Sequence, residues 1–197
     1  MRYPVEQKAE THERIIDAAS RSFREHGSEG QGIASLMNDL GLTHGGFYRH
    51  FEGKEDLYVE AITRGLEQTG DGMISAAQAA PEGRKLRAII ERYLSVEHLE
   101  HCGGGCVLAT LAPEISRQSE PVRIRINGAM RAYMNRLLPF LPGSNAAEKR
   151  RQFLVLFPAM AGVLMTARVM TDPAMRKEIL ATARLFYTKA FAEKVAD

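Results

Sequence analysis

Three groups of residues in this 197-residue chain have types and spacings that could do chemistry. The first is Thr43-His44-Gly45-Gly46-Phe47-Tyr48-Arg49-His50-Phe51, followed closely by Gly53 and Lys54. Its hydroxyl, imidazole, guanidinium and ammonium groups sit among aromatic anchors, a set suited to hydrogen-bonding phosphate oxygens and base edges. The second is Glu97-His98-Leu99-Glu100-His101-Cys102-Gly103-Gly104-Gly105-Cys106, which brings two thiols and two imidazoles into one short run. The third is dispersed: Tyr93, His98, Cys106, Leu111, Met130, Tyr133, Met134, Phe157 and Met160 are mostly apolar with a few polar handles. Such a set can line a cavity for a small apolar or aromatic compound, although each member also fits an ordinary core.

The elements needed to position these residues are helices. Apolar periodicity is helical along the whole chain and no sustained period-two alternation occurs, so an all-α fold of about nine helices is expected. A first helix spans about 11–26, with Ile15, Ala18, Ala19 and Phe23 on one face and Gly27 as its stop. Two short helices follow near 33–40 and 44–50, joined through Gly41 and Leu42. Ile33, Leu36, Met37 and Leu40 seat the first of these, while Phe47 and Phe51, four apart, seat the second. His44, Gly45, Tyr48 and Arg49 then face outward. Gly45 and Gly46 cost a helix roughly 1 kcal/mol each relative to Ala, so close approach of another surface is their expected reason. This is the layout of a helix-turn-helix, in which Thr43, His44, Gly45 and Arg49 face bases while Tyr48, His50 and Lys54 hold phosphates.

Further helices are expected from Lys54 until Gly70 and Gly72 weaken the first, then over 85–99, 106–116, 121–138, 146–170 and 173–194. Pro81, Gly83, the Gly103–Gly105 run, Pro139 and Pro142 punctuate them. The resulting organisation is a head of residues 1–53 and a body of residues 54–197.

Charge is a weaker guide. The net charge is +2, and acids slightly outnumber Lys and Arg up to residue 54, so phosphate attraction has to come from a local face. With 45% apolar and 25% charged residues the chain reads as globular. It shows no membrane-length apolar run and no secretory leader, so the expected location is cytoplasmic, with no membrane partner. No phosphate-cradling glycine loop follows a strand, and neither a Gly-x-Ser-x-Gly elbow nor a His-Glu-x-x-His pair occurs. No enzyme, cofactor or resident metal is expected.

The turn, the Thr-x-Gly-x-Phe-Tyr-x-His-Phe string and the following Lys54-Glu55-Asp56-Leu57 helix start resemble the signature of TetR-type bacterial transcriptional regulators over about residues 11–62. That resemblance implies a three-helix DNA head, a fourth helix as connector, and a variable body that binds ligand and dimerises. By motif position it assigns Thr43, His44, Gly45, Tyr48, His50 and Lys54 to DNA. Where the family often has Thr or Ser at the entry to the second helix, this chain has Gly30-Gln31-Gly32, leaving backbone N–H groups to meet phosphate there. The implied function is a sequence-specific regulator, in the usual case a repressor, that holds a palindromic double-stranded operator as a homodimer and is released by a small-molecule effector.

In the last two helices more than one face is apolar. The resemblance implies that Phe153, Ala159, Gly162, Thr166, Ile179, Ala183, Phe186 and Ala190 pair with their copies in a four-helix interface. Three accounts stay open for the Cys102 and Cys106 run. The default is a packed, inert thiol; the others are release by oxidation or alkylation of Cys106, and release by a metal held by His98, His101, Cys102 and Cys106.

Overall fold

The computed structural model describes residues 5–30 and 32–192, and all regular structure among them is helical. Helix α1 (Val5–His26) begins earlier than expected because Gln7, Lys8, Ala9 and Glu10 are good helix formers. It ends at Gly27, whose φ of 78° allows its N–H to bond the Phe23 carbonyl at 2.9 Å. Helices α2 (Ile33–Asp39) and α3 (His44–Phe47) are joined through Gly41, at φ 70°. Ile15, Ile16, Ala19 and Phe23 share one buried core with Leu36, Met37, Phe47 and Phe51.

Helix α4 (Lys54–Ala79) starts where the head was expected to end and runs on past Gly70 and Gly72. Its 26 residues make it about 39 Å long, at about 1.5 Å per residue. Packing overrides propensity here: a Cβ on Gly65 would lie 2.5 Å from Val107 Cγ2, and one on Gly70 3.4 Å from the Tyr133 ring. These glycines let neighbours approach the helix. α4 packs against α1 and also against the body helices α5 (Lys85–Tyr93) and α8 (Glu120–Leu137).

The helix expected over 85–99 is two. The chain turns at Leu94, and Ser95 Oγ accepts the His98 N–H at 3.0 Å, capping α6 (Val96–Glu100). A 3-10 turn over Cys102–Gly104 leads to α7 (Leu108–Ser116), so Cys106 precedes that helix and does not open it. The split brings the α-helical segments among the described residues to ten.

Helix α9 (Ala146–Val169) is capped by Asn145, which accepts the Glu148 N–H at 2.9 Å, and α10 (Pro173–Tyr187) by Asp172, which accepts that of Ala174 at 2.9 Å. A π-helical turn, Thr188–Ala192, follows α10; the expected end at 194 lies outside the described residues. By length and composition α9 is apolar enough to cross a membrane, with a mean hydropathy of 1.6 over its most apolar stretch. Yet Phe153, Leu156, Phe157, Met160 and Leu164 are buried in the protein's own core. The remaining apolarity is on the outside: Leu154, Val155, Met165 and Val169 of α9 and Met175, Leu185 and Phe186 of α10 are all exposed.

Candidate nucleic-acid interface

The segment expected to carry recognition is anchored from beneath. Phe47 and Phe51 are buried and stacked with centroids 5.2 Å apart, and His12 of α1 stacks on Phe51 at 4.6 Å. Thr43 Oγ1 accepts the Gly46 N–H at 3.3 Å, so the hydroxyl caps α3. Regular helix lasts only to Phe47; Tyr48, Arg49 and His50 continue it as a hydrogen-bonded turn, with Arg49 N bonded to Gly46 O and His50 N to Phe47 O. This fixed base leaves Thr43, His44, Gly45, Tyr48, Arg49 and Lys54 exposed and His50 half-buried. Tyr48, 63% exposed, stands edge-on to both His44 and Phe47. A Cβ on Gly45 would meet nothing within 4 Å, so the protein's own packing does not demand glycine there.

These residues border a concave space of about 630 Å³ between the start of α1 and the α2–α3 turn. Thr43, Gly45, Gly46, Arg49 and His50 line it from one side, and Lys8 and Thr11 of α1 from the other. Lys8 and Thr11 were not singled out in the sequence, although a signal is there. The buried stripe Ile15, Ala19, Phe23 extends backwards onto positions 8, 11 and 12, where polar residues show that the stripe has left the core. Lys8, Arg49 and His12 also depress the His50 pKa, after burial as the largest cause. The head is therefore locally cationic at this face despite its acidic balance. The buried Nδ1 of His50 has no hydrogen-bond partner. At the entry to α2, Gly32 provides no side-chain cap.

Behind the face, His12 Nε2 meets Glu60 Oε2 at 2.8 Å and Arg64 binds Asp17 at 2.8 Å and also Glu13, holding α1 against α4. Arg125 of α8 reaches Asp56 at the start of α4 at 2.7 Å. From α7, the Glu114 carboxylate accepts the Ser28 N–H at 3.0 Å.

In the body, the residues read as cavity-lining are drawn together as core. Tyr93, Cys106, Leu111, Tyr133, Met134, Phe157 and Met160 are buried, with His98 and Met130 partly so. Tyr93 is edge-on to His98 at 4.8 Å and to Phe157 at 6.4 Å. Phe153, expected at the dimer surface, stacks on Phe157 at 4.3 Å inside this cluster. Ala159, Gly162, Ile179 and Ala183 are half-buried, while Thr166, Phe186 and Ala190 are exposed. The cleft reaching Tyr93 and His98 holds only about 40 Å³, room for a few waters and not for a drug-sized ligand.

His98 uses both ring nitrogens internally. Nδ1 lies 2.6 Å from the Tyr93 carbonyl and must donate to it, leaving Nε2 to accept the Cys106 N–H at 2.8 Å. Burial pushes its pKa down to about 4. A metal at this imidazole would have to break one of those bonds, and no group of three or more His, Cys, Asp or Glu residues converges among the described residues. Both thiols are free, Cys102 half-buried and Cys106 buried beside Tyr93.

Comparison with known proteins agrees with this geometry. Residues 15–61 match the bacterial regulatory proteins of the tetR family, and residues 83–183, just over half of the chain, match the tetracyclin repressor-like C-terminal domain. The HTH-type transcriptional regulator LmrA of Bacillus subtilis is 28% identical over 120 residues, 58% of this chain; the match spans 62% of that relative's length. A TetR transcriptional regulator from Chloroflexus aurantiacus has the same fold, with a TM-score of 0.72 at 21% identity over 95% of this chain and 98% of its own. The transcriptional regulator FadR of Bacillus subtilis, solved in complex with stearoyl-CoA, superposes with a TM-score of 0.62 at 20% identity over 87% of this chain and 96% of its own.

Proposed function

Because the chain belongs to the tetR family of bacterial regulatory proteins, we propose that it is a DNA-binding transcriptional repressor that holds a palindromic operator as a homodimer and leaves it when a small effector enters the body. The observation that carries this is the head's exposed face. Thr43, His44, Gly45 and Arg49 stand on a segment fixed by Phe47 and Phe51, and Lys8, Tyr48, His50 and Lys54 lie around them to receive phosphates. Gly45 leaves open space where a DNA backbone can come close.

The dimer is supported by the second apolar surface of α9 and α10. Val155, Val169, Leu185 and Phe186 are each more than 60% exposed and have no role in the protomer's core. A second copy of the same face would cover them symmetrically and place two recognition segments in successive major grooves. The effector we favour is a small apolar or aromatic compound, because Tyr93, Tyr133, Phe153 and Phe157 form an aromatic cluster that would have to open to admit it. A regulator of this kind works in the cytoplasm.

Footprinting on the DNA flanking the protein's own coding region, at two salt concentrations, tests the reading. A protected, roughly palindromic site is expected, with Lys8→Ala weakening binding and lowering the salt slope by about 1 per protomer. Absence of such a site, or affinity unchanged in the Tyr48→Ala, Lys54→Ala double variant, would overturn it.

A further inference from the structure

Arg24 belongs to the head, on α1, but its guanidinium is directed into the body and the residue is only 4% exposed. Nε donates to the Ser20 carbonyl at 2.9 Å and Nη1 to the Gly105 carbonyl at 2.8 Å. Nη2 donates to Gln68 Oε1 at 2.7 Å and Ser20 Oγ at 3.2 Å. None of these partners is a carboxylate. Burial lowers the pKa to about 10, which leaves the group charged at neutral pH. A buried cation whose direct acceptors are neutral oxygens is destabilised whenever one of those bonds loses its geometry. The position of Gly105 relative to α1 is therefore tightly specified.

A second guanidinium, from another helix, holds the same segment. Arg168, on the α9 helix that carries the exposed apolar face, donates to the carbonyls of His98 at 3.0 Å, Leu99 at 3.1 Å and Ala109 at 3.3 Å. Its Nη2 would lie 3.2 Å from a Cβ on Gly105. A Cβ on Gly103 would collide with the Glu25 carboxylate and the Arg21 stem of α1. The glycine run is thus shaped by close approach on two sides, and the bond from Cys106 N to His98 closes the loop internally.

We propose that Arg24 and Arg168 are positioning residues that fix the angle between the DNA head and the dimer-forming helices by gripping residues 98–109 from two helices. The load path runs from α9 through Arg168 into that segment, and from Gly105 through Arg24 into α1. It sets how far apart and how rotated two heads sit in a dimer, and so which half-site spacing they accept. This rests on the operator and dimer reading above.

The test measures affinity for palindromes whose central spacer is optimal or one base pair longer, a change that rotates one half-site by about 35°. The wild type should prefer the optimal spacer by about tenfold or more, a coupling of the size such networks carry. Arg24→Met and Arg168→Met should reduce that preference to about threefold or less while still binding half-site DNA. Gln68→Met, a change at an exposed side chain that removes one Arg24 acceptor, should give an intermediate ratio and serves if Arg24→Met does not fold. Leu66→Ala, a cavity elsewhere in α4, should lower the melting temperature yet keep the wild-type ratio. A wild type that binds neither palindrome overturns the operator reading and this one with it, and a wild type that binds both spacers equally well overturns the clamp alone. A wild type with the preference, and clamp variants that retain it, overturns the clamp alone.

Discussion

Gly45 separates what the protein needs for itself from what it needs for a partner. Because a Cβ there meets nothing, Gly45→Ala should leave the melting temperature unchanged or raise it slightly, as Ala is favoured in a helix by up to about 1 kcal/mol. Affinity for operator DNA in a gel-shift titration should nevertheless fall by about tenfold or more, since a methyl group would stand where DNA approaches. An unchanged affinity would mean that the recognition face lies elsewhere. His98 makes a second residue-level prediction. Its folded pKa, about 4, lies below the ordinary 6.5, so at pH values between the two the unfolded chain holds more protons than the folded one. Its contribution is complete above pH 6.5 and is lost progressively as pH falls towards 4. Desolvation is the main cause, and the nearby Arg168, Arg92 and Arg24 also oppose protonation. Melting temperature followed from pH 7 to 4.5 should fall less steeply in His98→Asn than in the wild type.

At the scale of the element, α4 contains its own control. Gly65→Ala should destabilise the fold by about 1–3 kcal/mol, because the new methyl group would overlap Val107 and crowd Ser20 and Arg24. Gly72→Ala, with open space around it, should stabilise by up to about 1 kcal/mol. Thermal unfolding of the two variants reads both, and equal shifts of the same sign would show that propensity alone governs this helix. Some ends of elements were legible in the sequence from a cap or breaker, as with Gly27, Asp172 and Pro173. The break at Leu94 was not, because the signal of Ser95 as a cap is local while the apolar periodicity passes straight across it. Lys8 and Thr11 are a related case: polar residues on the stripe of α1 show that it has left the core, but not what they face until α1 is placed beside the α2–α3 turn.

For the whole molecule, the decisive contrast is between two phenylalanines, Phe153 and Phe186. If the chain pairs through this face as proposed, the wild type should sediment as a dimer and Phe186→Glu together with Leu185→Glu as a monomer that has lost tight operator binding, with little change in the helical content of the protomer. Phe153→Ala should instead cost about 3–5 kcal/mol of stability through a cavity against Phe157 and Tyr133. Should the Phe186 and Leu185 double variant remain dimeric, the pairing surface lies on another face.

The all-helical class, the Thr43 cap of α3 and the exposed residues of the segment that follows it could be read from the order of the amino acids. These depend on spacings of three and four residues and on backbone preferences that act locally. Long-range packing settled that Phe153 faces inward and Phe186 outward, that Gly65 and Gly70 of α4 serve close approach while Gly72 does not, and that the body's aromatic cluster is closed. It also decided the burial of Arg24, whose bond to Gly105 joins residues 81 positions apart. A helix with apolar residues on several sides specifies that each must be covered, not by what. A buried charge is recognisable only once its distant partners surround it.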